Sequence, residues 1–336
     1  MRAFAETCEA VSATRKRTEK IALLAAYFAS RPVDEAAIAV VFSTGRAFPA
    51  HEETTLQVGG AMLSRAIRAA SGADEAELAA AYRRHGDLGA AAFDVFAARA
   101  RDASDPSVRD VERELRRIAA ARGAAAKQAA LEALLARASP LVVKYLLKIV
   151  TGDLRIGSKE ALVEEAIAKA FGGTLADVQR ANMLLGDVGE ALRLAAARAL
   201  GEARMRLFHP LGFMLAAAAE SADEAFASFG DAVVEDKYDG IRAQAHVSAR
   251  EGRVRLFSRT RDDVTSSFPE LAAPLATLPG ELVLDGEVLA YRDRALPFSE
   301  LQRRLGRKAP TEAQQRAVPV AYVAFDVLYQ DGALVV

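Results

Sequence analysis

Groups that bind metals or form disulfide bonds are scarce in this sequence of 336 residues. Cys8 is the single cysteine, which excludes an internal disulfide bond and a zinc site built on several thiolates. The four histidines lie far apart in the sequence and show no metal-ligand spacing. They are His51, His85, His209 and His246.

Long hydrophobic runs are also missing. No segment approaches the roughly 18 uninterrupted apolar residues that a membrane span needs. The N-terminal segment MRAFAETCEAVSATRKR has acidic residues before its basic cluster and no apolar stretch, so it does not resemble a secretory signal. We therefore expect a cytoplasmic protein.

Neither sign of charge prevails, because 44 lysines and arginines face 45 aspartates and glutamates, a net charge of −1. Binding to nucleic acid would therefore need a local basic face rather than a basic chain. Lysine is scarce after Arg206, where Lys237 and Lys308 are the lysines. Hydrophobic residues make up 51% of the chain, enough for sizeable cores, and the length suggests two domains.

Residues 1–205 carry the pattern of an all-α domain. Alanine and leucine recur at spacings of three and four residues, as in IALLAAYFA, which is typical of helices. Ser158 is predicted to cap a helix that ends at glycines 172–173, and Thr174 to open the next helix with Asp177 three positions on. No convincing repeat period is present, which argues against a solenoid.

Residues 206–336 change to the pattern of an α+β domain. Pro210 and Gly212 break the helical pattern, and apolar runs typical of strands follow. The predicted strands are 241–247, 254–258, two pieces of 281–291 around Asp285 and Gly286, and a buried strand at 321–329, with helices at 268–278 and 298–308. The sequence stops in apolar residues directly after a strand, so we expect the α+β domain to be incomplete at its C-terminus.

The segment EDKYDGIR at residues 235–242 contains the parts of a nucleotidyl-transfer site. Lys237 could act as a nucleophile once its amine is deprotonated, the glycine permits a close backbone approach, and Arg242 could hold phosphate oxygens. The segment also fits an exposed lysine before a hairpin turn, paired with Asp236 or Asp239. Spacing alone favours this second interpretation.

Four motifs in order resemble those of the covalent nucleotidyltransferases, which comprise DNA ligases, RNA ligases and mRNA capping enzymes. KYDGIR matches their K-x-D-G-x-R signature. FSRTRDDVT, LDGEVLAY and AFDVLY resemble the second basic, the acidic and the aromatic element, at residues 257–265, 284–291 and 324–329. PFSELQRRLGRK is similar to the stretch that ligases carry between the last two elements. Each motif is weak alone, but the ordered set is highly specific.

The helical part narrows the resemblance to one family. Residues 144–170, KYLLKIVTGDLRIGSKEALVEEAIAKA, resemble the DNA-binding domain of ATP-dependent DNA ligases of the archaeal and eukaryotic type. FHPLGFMLA at 208–216 resembles the linker into their catalytic core, with Phe213 where a proline is common. The resemblance therefore implies a helical DNA-binding domain at 1–205 and the N-terminal part of an adenylation domain at 206–336.

The resemblance also implies a lysyl-AMP mechanism. Lys237 would attack the α-phosphorus of ATP, and Glu235 would accept a hydrogen bond from the adenine amino group. The AMP would then pass to the 5′-phosphate of a nick, and the 3′-hydroxyl would displace it. Replication, repair and recombination all use this chemistry, and the sequence does not distinguish them.

Further residues are implied to bind ATP and its metal. Arg242 and Arg259 would contact the ribose and phosphates, and Phe325 would stack on the adenine. Glu287 would bind the ribose or a divalent metal, Mg²⁺ or Mn²⁺. Taken one at a time, each of these residues also has a purely structural interpretation. Arg259 could form an ion pair with a nearby aspartate, Glu287 could be an ordinary exposed strand residue, and Phe325 could be a core residue.

A turn bounded by glycines at residues 151–157, TGDLRIG, predicts contact with DNA. A turn of this kind before a helix exposes backbone N–H groups that suit a phosphate. The residues predicted to bind nicked duplex DNA are Lys148, Thr151, Gly152, Arg155 and Lys159. The basic segment 14–20 fits a solvated helix face slightly better than a second DNA contact. We expect a monomer that associates with the nucleoid.

Ligases carry an acidic motif, a lysine-rich strand and an OB-fold domain after the aromatic strand, and these 336 residues contain none of them. Lys308 precedes that strand, so it is not the downstream lysine. We therefore expect this polypeptide not to seal nicks by itself. Two other functions stay open: an RNA ligase or capping-type nucleotidyltransferase, against which the helical domain argues, and a non-catalytic DNA-binding or scaffold protein.

Overall fold

The computed structural model describes residues 1–52, 54–99, 102–212, 218–229, 231, 233–304 and 309–335. The predicted linker position Phe213 and the predicted lysine Lys308 lie outside the described residues. The chain divides into two compact units, Met1–Arg204 and Met205–Val336. The first contains helices and the second helices and a sheet, which confirms an all-α domain followed by an α+β domain.

The described part of the first unit contains α-helices that pack around a continuous apolar core. They are α1 (Arg2–Ala13), α2 (Arg17–Ala29), α3 (Val33–Ser43), α4 (Gly60–Ser71), α5 (Glu75–His85), α6 (Leu88–Ala97), α7 (Val108–Ala120), α8 (Ala124–Ala136), α9 (Pro140–Val150), α10 (Glu160–Phe171), α11 (Leu175–Leu185) and α12 (Val188–Ala196), followed by a short 3-10 helix at Leu200–Glu202. None of the helices in the described ranges has the length and apolar character to cross a membrane.

The sequence signals for helix ends are partly confirmed. Thr174 caps α11, since its hydroxyl accepts a hydrogen bond from the Asp177 N–H. The prediction that Ser158 caps α10 is wrong, because the capping residue is Lys159 and no side-chain cap is formed. The Ser158 hydroxyl instead donates to the carbonyl of Ser43, 3.1 Å away, and so ties the segment before α10 to the end of α3.

An internal repeat that the sequence analysis missed organises the helical unit. Helices α4, α5 and α6 recur as α10, α11 and α12, each 100 residues later. The residues at the helix ends match as well. Asp87 and Asp187 cap the starts of α6 and α12. Left-handed glycines follow α4 and α10, at positions 72 and 172, and follow α5 and α11, at positions 86 and 186. The motif G-D-L-G at 86–89 and G-D-V-G at 186–189 is the clearest sequence trace of the repeat.

The two halves of the repeat exchange packing partners. Helices α2 and α3 recur as α8 and α9, each 107 residues later. The first pair packs on α10 and α12 of the second half, and the second pair packs on α4 and α6 of the first half. Gly45 after α3 and Gly152 after α9 lie next to each other. A Cβ added to either glycine would lie 3.6 to 3.8 Å from the carbonyl oxygen of the other. The halves therefore share one core and fold as one body.

The second unit is built on an antiparallel sheet with the strand order β2-β1-β3-β4-β5. Its elements are α13 (Ala222–Phe229), β1 (Ile241–Ser248), β2 (Arg253–Ser258), a 3-10 helix (Thr265–Ser267), α14 (Pro269–Leu275), β3 (Glu281–Ala290), α15 (Phe298–Gln302), α16 (Glu312–Ala317), β4 (Val320–Gln330) and β5 (Ala333–Leu334). One face of β1 enters an apolar core through Ala243, Ala245 and Val247. The opposite face therefore presents the alternate residues Arg242, Gln244 and His246.

Two strand predictions are corrected by the structure. The two pieces expected around Asp285 and Gly286 form one continuous strand, β3, with register shifts in its pairing with β4 on either side of Asp285. The glycine serves close packing rather than a turn, because an added Cβ would lie 2.5 Å from the Val323 carbonyl oxygen. The strand expected to be buried, β4, is exposed at its centre, where Phe325 lies.

Candidate active site and DNA-binding turn

Strand pairing brings the motifs KYDGIR and LDGEVLAY together. In the antiparallel pair β1–β3, Arg242 lies opposite Glu287 and Gln244 lies opposite Asp285. Because alternate residues of a strand share a face, Arg242, Asp285 and Glu287 form one polar group on the sheet. Lys237 lies just before β1, in an exposed segment that leads into this group.

Gly240 allows the backbone of the lysine motif to approach β3 closely. Its N–H donates to Oε1 of Glu287 at 3.1 Å. A Cβ on Gly240 would lie 2.2 Å from the Val288 carbonyl oxygen, which no side chain tolerates. The motif therefore requires glycine here for space, and the close approach attaches the lysine segment to the carboxylate of Glu287.

Arg242 is held by Asp285 in a two-point ion pair. The Nη2 and Nε atoms of Arg242 donate to the two carboxylate oxygens of Asp285 at 2.7 and 3.2 Å. Asp285 is buried, and a fork-shaped contact of this kind is stronger and more directional than a single-point ion pair. The guanidinium carbon also lies 5.7 Å from the centre of the Phe325 ring. The orientation of Arg242 is therefore fixed from two sides.

Burial raises the pKa of Glu287, and its neighbours oppose that effect. The Gly240 N–H and the charges of Lys237 and Arg242 lower the pKa, whereas Asp239 raises it further. The net direction is upward. A half-buried carboxylate of this kind gains from a positive ligand, because a cation compensates the cost of burying its charge.

The remaining predicted ATP-binding residues, Phe325, Arg259 and Glu235, are all exposed. Phe325 projects from β4 with 37% of its surface exposed, so it is not a core residue. Arg259 is exposed in the turn after β2, and the pairing of Ala243 with Ser258 places it at the same end of the sheet as Arg242. Glu235 is exposed two residues before Lys237. Their roles toward ATP stay predictions.

Glu287, rather than Asp285, has the properties to contact a magnesium ion that is shared with substrate phosphates. Within the described ranges, no three or more His, Cys, Asp or Glu side chains converge in the manner of an all-protein metal site. Magnesium often takes one or two protein carboxylates and completes its shell with substrate phosphates and water. Glu287 has the half-buried carboxylate for such a contact, whereas Asp285 is already paired with Arg242.

In the helical unit, the predicted DNA-binding turn has a fixed and strained backbone. Gly152, Arg155 and Gly157 all adopt left-handed conformations, with φ of 69°, 50° and 68°. Leu154 and Ile156 are buried on either side of the exposed Arg155. A left-handed arginine persists only where its surroundings enforce it, so the buried neighbours hold the Arg155 side chain outward.

The predicted DNA-binding residues differ in accessibility. Thr151, Gly152 and Lys159 are exposed, and Arg155 donates to Asp153 at 2.6 Å and to the Gly86 carbonyl at 3.1 Å. Lys148 is buried, and its ammonium lies 2.5 Å from the carboxylate of Asp87. Beside the turn runs a groove of about 850 Å³, whose lining includes Arg65, Arg68, Tyr82 and Arg155.

Sequence reasoning missed two residues at these sites. Asp285 stands two positions before Glu287 on one strand, and this spacing places both on the same face. Lys20, in the basic segment 14–20, donates to the carbonyl of Ile156 at 2.7 Å and so contacts the turn directly. No sequence signal predicts this second contact, because α2 and the turn are 136 positions apart.

Comparisons with known proteins agree with the two units. A family model described as "DNA ligase N terminus" matches residues 1–168, and one described as "ATP dependent DNA ligase domain" matches residues 213–336. A "Probable DNA ligase" of Koribacter versatilis is 58% identical over all of this chain and 58% of its own length. A "DNA ligase" of Methanothrix thermoacetophila is 35% identical over 98% of this chain and 61% of its own length.

A solved structure named "Pmar-Lig_Pre." shares the fold, with a TM-score of 0.52 and 13% identity over 96% of this chain and 56% of its own. The helical unit thus corresponds to a DNA ligase N-terminal domain, and the unit with the lysine motif to an ATP-dependent DNA ligase domain. The chain belongs to the ATP-dependent DNA ligase family. It spans about three fifths of the length of the two ligases compared above.

Proposed function

We propose that this chain carries the adenylation chemistry of a ligase that seals nicks in duplex DNA with ATP through a lysyl-AMP intermediate. The observation that supports this proposal best is the cluster at the start of β1, within a chain of the ligase family. There Gly240 and Arg242 link the lysine motif to β3 through hydrogen bonds to Glu287 and Asp285.

In the first step, the Lys237 nitrogen forms a bond to the α-phosphorus of ATP while the bond to the pyrophosphate oxygen breaks. In the second step, a 5′-phosphate oxygen at the nick takes the AMP and the lysine leaves. In the third step, the 3′-hydroxyl attacks the activated phosphate and AMP departs. Because phosphoryl transfer depends on positioning and charge, fixed cationic and carboxylate groups account for the protein's contribution.

The proposed ATP contacts follow from accessibility and charge. Phe325 offers an exposed ring for the adenine, and Glu235 accepts a hydrogen bond from its amino group. Arg242 and Arg259 hold the ribose and phosphate region. Glu287 holds the ribose or Mg²⁺, and a bound Mg²⁺ (or Mn²⁺) supplies charge neutralisation at the phosphates.

We further propose that the turn 151–157 binds the phosphates of nicked duplex DNA. Thr151, Gly152, Arg155 and Lys159 are exposed for direct contact. Lys148 contributes indirectly, since its bond to Asp87 joins α9 to the start of α6. We propose a monomer that acts in the cytoplasm at the nucleoid, where its substrate lies.

The test uses a chimaera in which residues 1–336 replace the matching segment of the Koribacter versatilis relative, because this chain covers 58% of that protein. We expect the chimaera to seal a nicked duplex with ATP and Mg²⁺, and Lys237→Ala to abolish sealing. Sealing of nicked RNA, or use of GTP in place of ATP, would favour the RNA ligase or capping enzyme. DNA binding with no nucleotide adduct would favour the scaffold.

The polypeptide of 336 residues is compared in parallel. We propose that it binds nicked DNA and does not seal it, because it spans only about three fifths of the length of the two ligases compared above. Multiple-turnover sealing by this polypeptide would refute that part of the proposal.

A further inference from the structure

The basic segment 14–20 lies against the proposed DNA-binding turn. Lys20, in the first turn of α2, donates from Nζ to the carbonyl of Ile156 at 2.7 Å. Its ammonium occupies the space beside Gly157, where a Cβ would lie 2.3 Å from Nζ. Arg17 donates to Glu165 of α10 at 2.5 Å, which fixes the start of α2 on the helix that follows the turn.

The Lys20 contact acts on the peptide group between Ile156 and Gly157, one residue beyond Arg155. Arg155 has a left-handed backbone, which is unfavourable for a residue other than glycine unless neighbours enforce it. The Asp153 carboxylate engages the Arg155 side chain, and Lys20 holds the carbonyl of Ile156. Lys20 thus fixes the backbone on the far side of the arginine that would meet the phosphate.

The internal repeat contains an equivalent of this contact. Lys127, in the first turn of α8 and 107 positions after Lys20, donates to the carbonyl of Leu56 at 2.8 Å. Gln57, 100 positions before Gly157, shares its left-handed conformation with φ of 51°. Two lysines therefore hold two equivalent loops, and Lys127 supplies a matched control within the same chain.

We propose that Lys20 is a positioning residue for DNA binding, which holds the turn 151–157 in the shape that presents Arg155 to a phosphate. This inference rests on the proposed function of that turn. It differs from an ordinary phosphate contact in one respect: the effect of Lys20 passes through Arg155, so the two side chains are not independent.

A double-mutant cycle distinguishes a positioning role of Lys20 from an independent phosphate contact. The affinity of the 336-residue chain for a nicked duplex is measured for the wild type, Lys20→Met, Arg155→Ala and the double variant. We expect about a tenfold loss for Lys20→Met, the size of one hydrogen bond that involves a charged group. The double variant should bind no more than about twofold more weakly than Arg155→Ala, because the positioned group is already gone.

Lys127→Met is the control for a general loss of stability. It removes an equivalent lysine contact from the other half, and we expect DNA affinity within about twofold of the wild type. Gly157→Ala is the second variant. It displaces the Lys20 ammonium while the charge remains, and it also strains the left-handed backbone of residue 157, so we expect a loss at least as large as that of Lys20→Met even if Lys20→Met does not fold.

Three results would overturn the inference: losses that multiply in the double variant, an equal loss in Lys127→Met, or unchanged affinity in both Lys20→Met and Gly157→Ala. Failure of the wild-type chain to bind DNA at low salt would instead overturn the proposed function of the turn. The two failures are thus distinguishable in one titration series.

Discussion

Arg242 lies opposite Glu287 in the strand register but forms its ion pair with Asp285. This choice of partner leaves the Glu287 carboxylate to the Gly240 N–H and to the field of Lys237. Two carboxylates of one strand therefore have separate tasks: Asp285 orients a cation, and Glu287 faces the lysine motif. In the proposed function, a ribose hydroxyl or a metal ion would therefore meet Glu287 rather than Asp285.

The raised pKa of Glu287 predicts a pH dependence of stability. Its ordinary value is 4.5, and the folded state holds the proton more tightly. Above 4.5 the unfolded chain loses this proton first, so Glu287 lowers stability as the pH rises through the window between 4.5 and the folded value. Below that window its contribution vanishes, because both states are protonated.

We expect Glu287→Gln to remove this loss, so that the variant is more stable than the wild type above the window and equal to it below. The measurement is the free energy of unfolding against pH by chemical denaturation. The exposed Glu235→Gln is the matched control and should follow the wild-type curve. Parallel curves for the wild type and Glu287→Gln would contradict the burial argument.

Among the elements, β3 shows where sequence reasoning succeeds and fails. The strand and its acidic motif are visible in the alternation of apolar residues, and β1 and β2 begin and end within one residue of their predicted bounds. The interpretation of Asp285-Gly286 as a break is wrong, because a distant strand decides the role of the glycine. Long-range packing of this kind leaves no local signal.

The same limit applies to Ser158 and to the repeat. Ser158 has the residue type of a cap, but its hydroxyl bonds to Ser43, which lies 115 positions away. The repeat is visible in hindsight through two G-D-x-G segments, yet the exchanged packing of α2 and α3 with α10 and α12 depends on the tertiary fold. The candidate site was predictable as a set of motifs, whereas its ion pairing was not.

Gly286→Ala tests the packing role of the glycine at the element scale. An added Cβ would lie 2.5 Å from the Val323 carbonyl oxygen and 2.6 Å from the Tyr322 ring. We expect a loss of about 1–3 kcal/mol in the free energy of unfolding, typical of overpacking. Gly212→Ala, where a Cβ meets nothing within 4 Å, is the control in the same unit. Equal stability of the two variants would contradict the close-packing account.

The molecule as a whole combines a helical unit of one shared core with a sheet unit that carries the lysine motif. Composition and motif order predicted this division, and the family models confirm the family of both parts. The near-neutral net charge means that the proposed DNA binding depends on a local face of the molecule, for which we propose the turn 151–157.

The proposed contact between Arg155 and a DNA phosphate predicts how Arg155→Ala changes the DNA affinity of the chain and its salt dependence. Affinity should fall alike for duplexes of different sequence, and the slope of log affinity against log salt should decrease in magnitude by about 0.9, one phosphate contact. The exposed Arg316, paired with Glu312 in the other unit, is the control, and Arg316→Ala should leave affinity and slope unchanged. A sequence-dependent loss, or an unchanged slope, would contradict a phosphate contact.

The central claim is that Lys237 carries AMP, and its most direct test is the site of the adduct. The chimaera of residues 1–336 with the remainder of the Koribacter versatilis relative is incubated with ATP and Mg²⁺. It is then digested under conditions that preserve the phosphoramidate bond between lysine and AMP, and the peptides are analysed by tandem mass spectrometry. The account predicts one AMP on Lys237 and none in Lys237→Ala. An adduct on another residue, or an adduct that persists in Lys237→Ala, would contradict it.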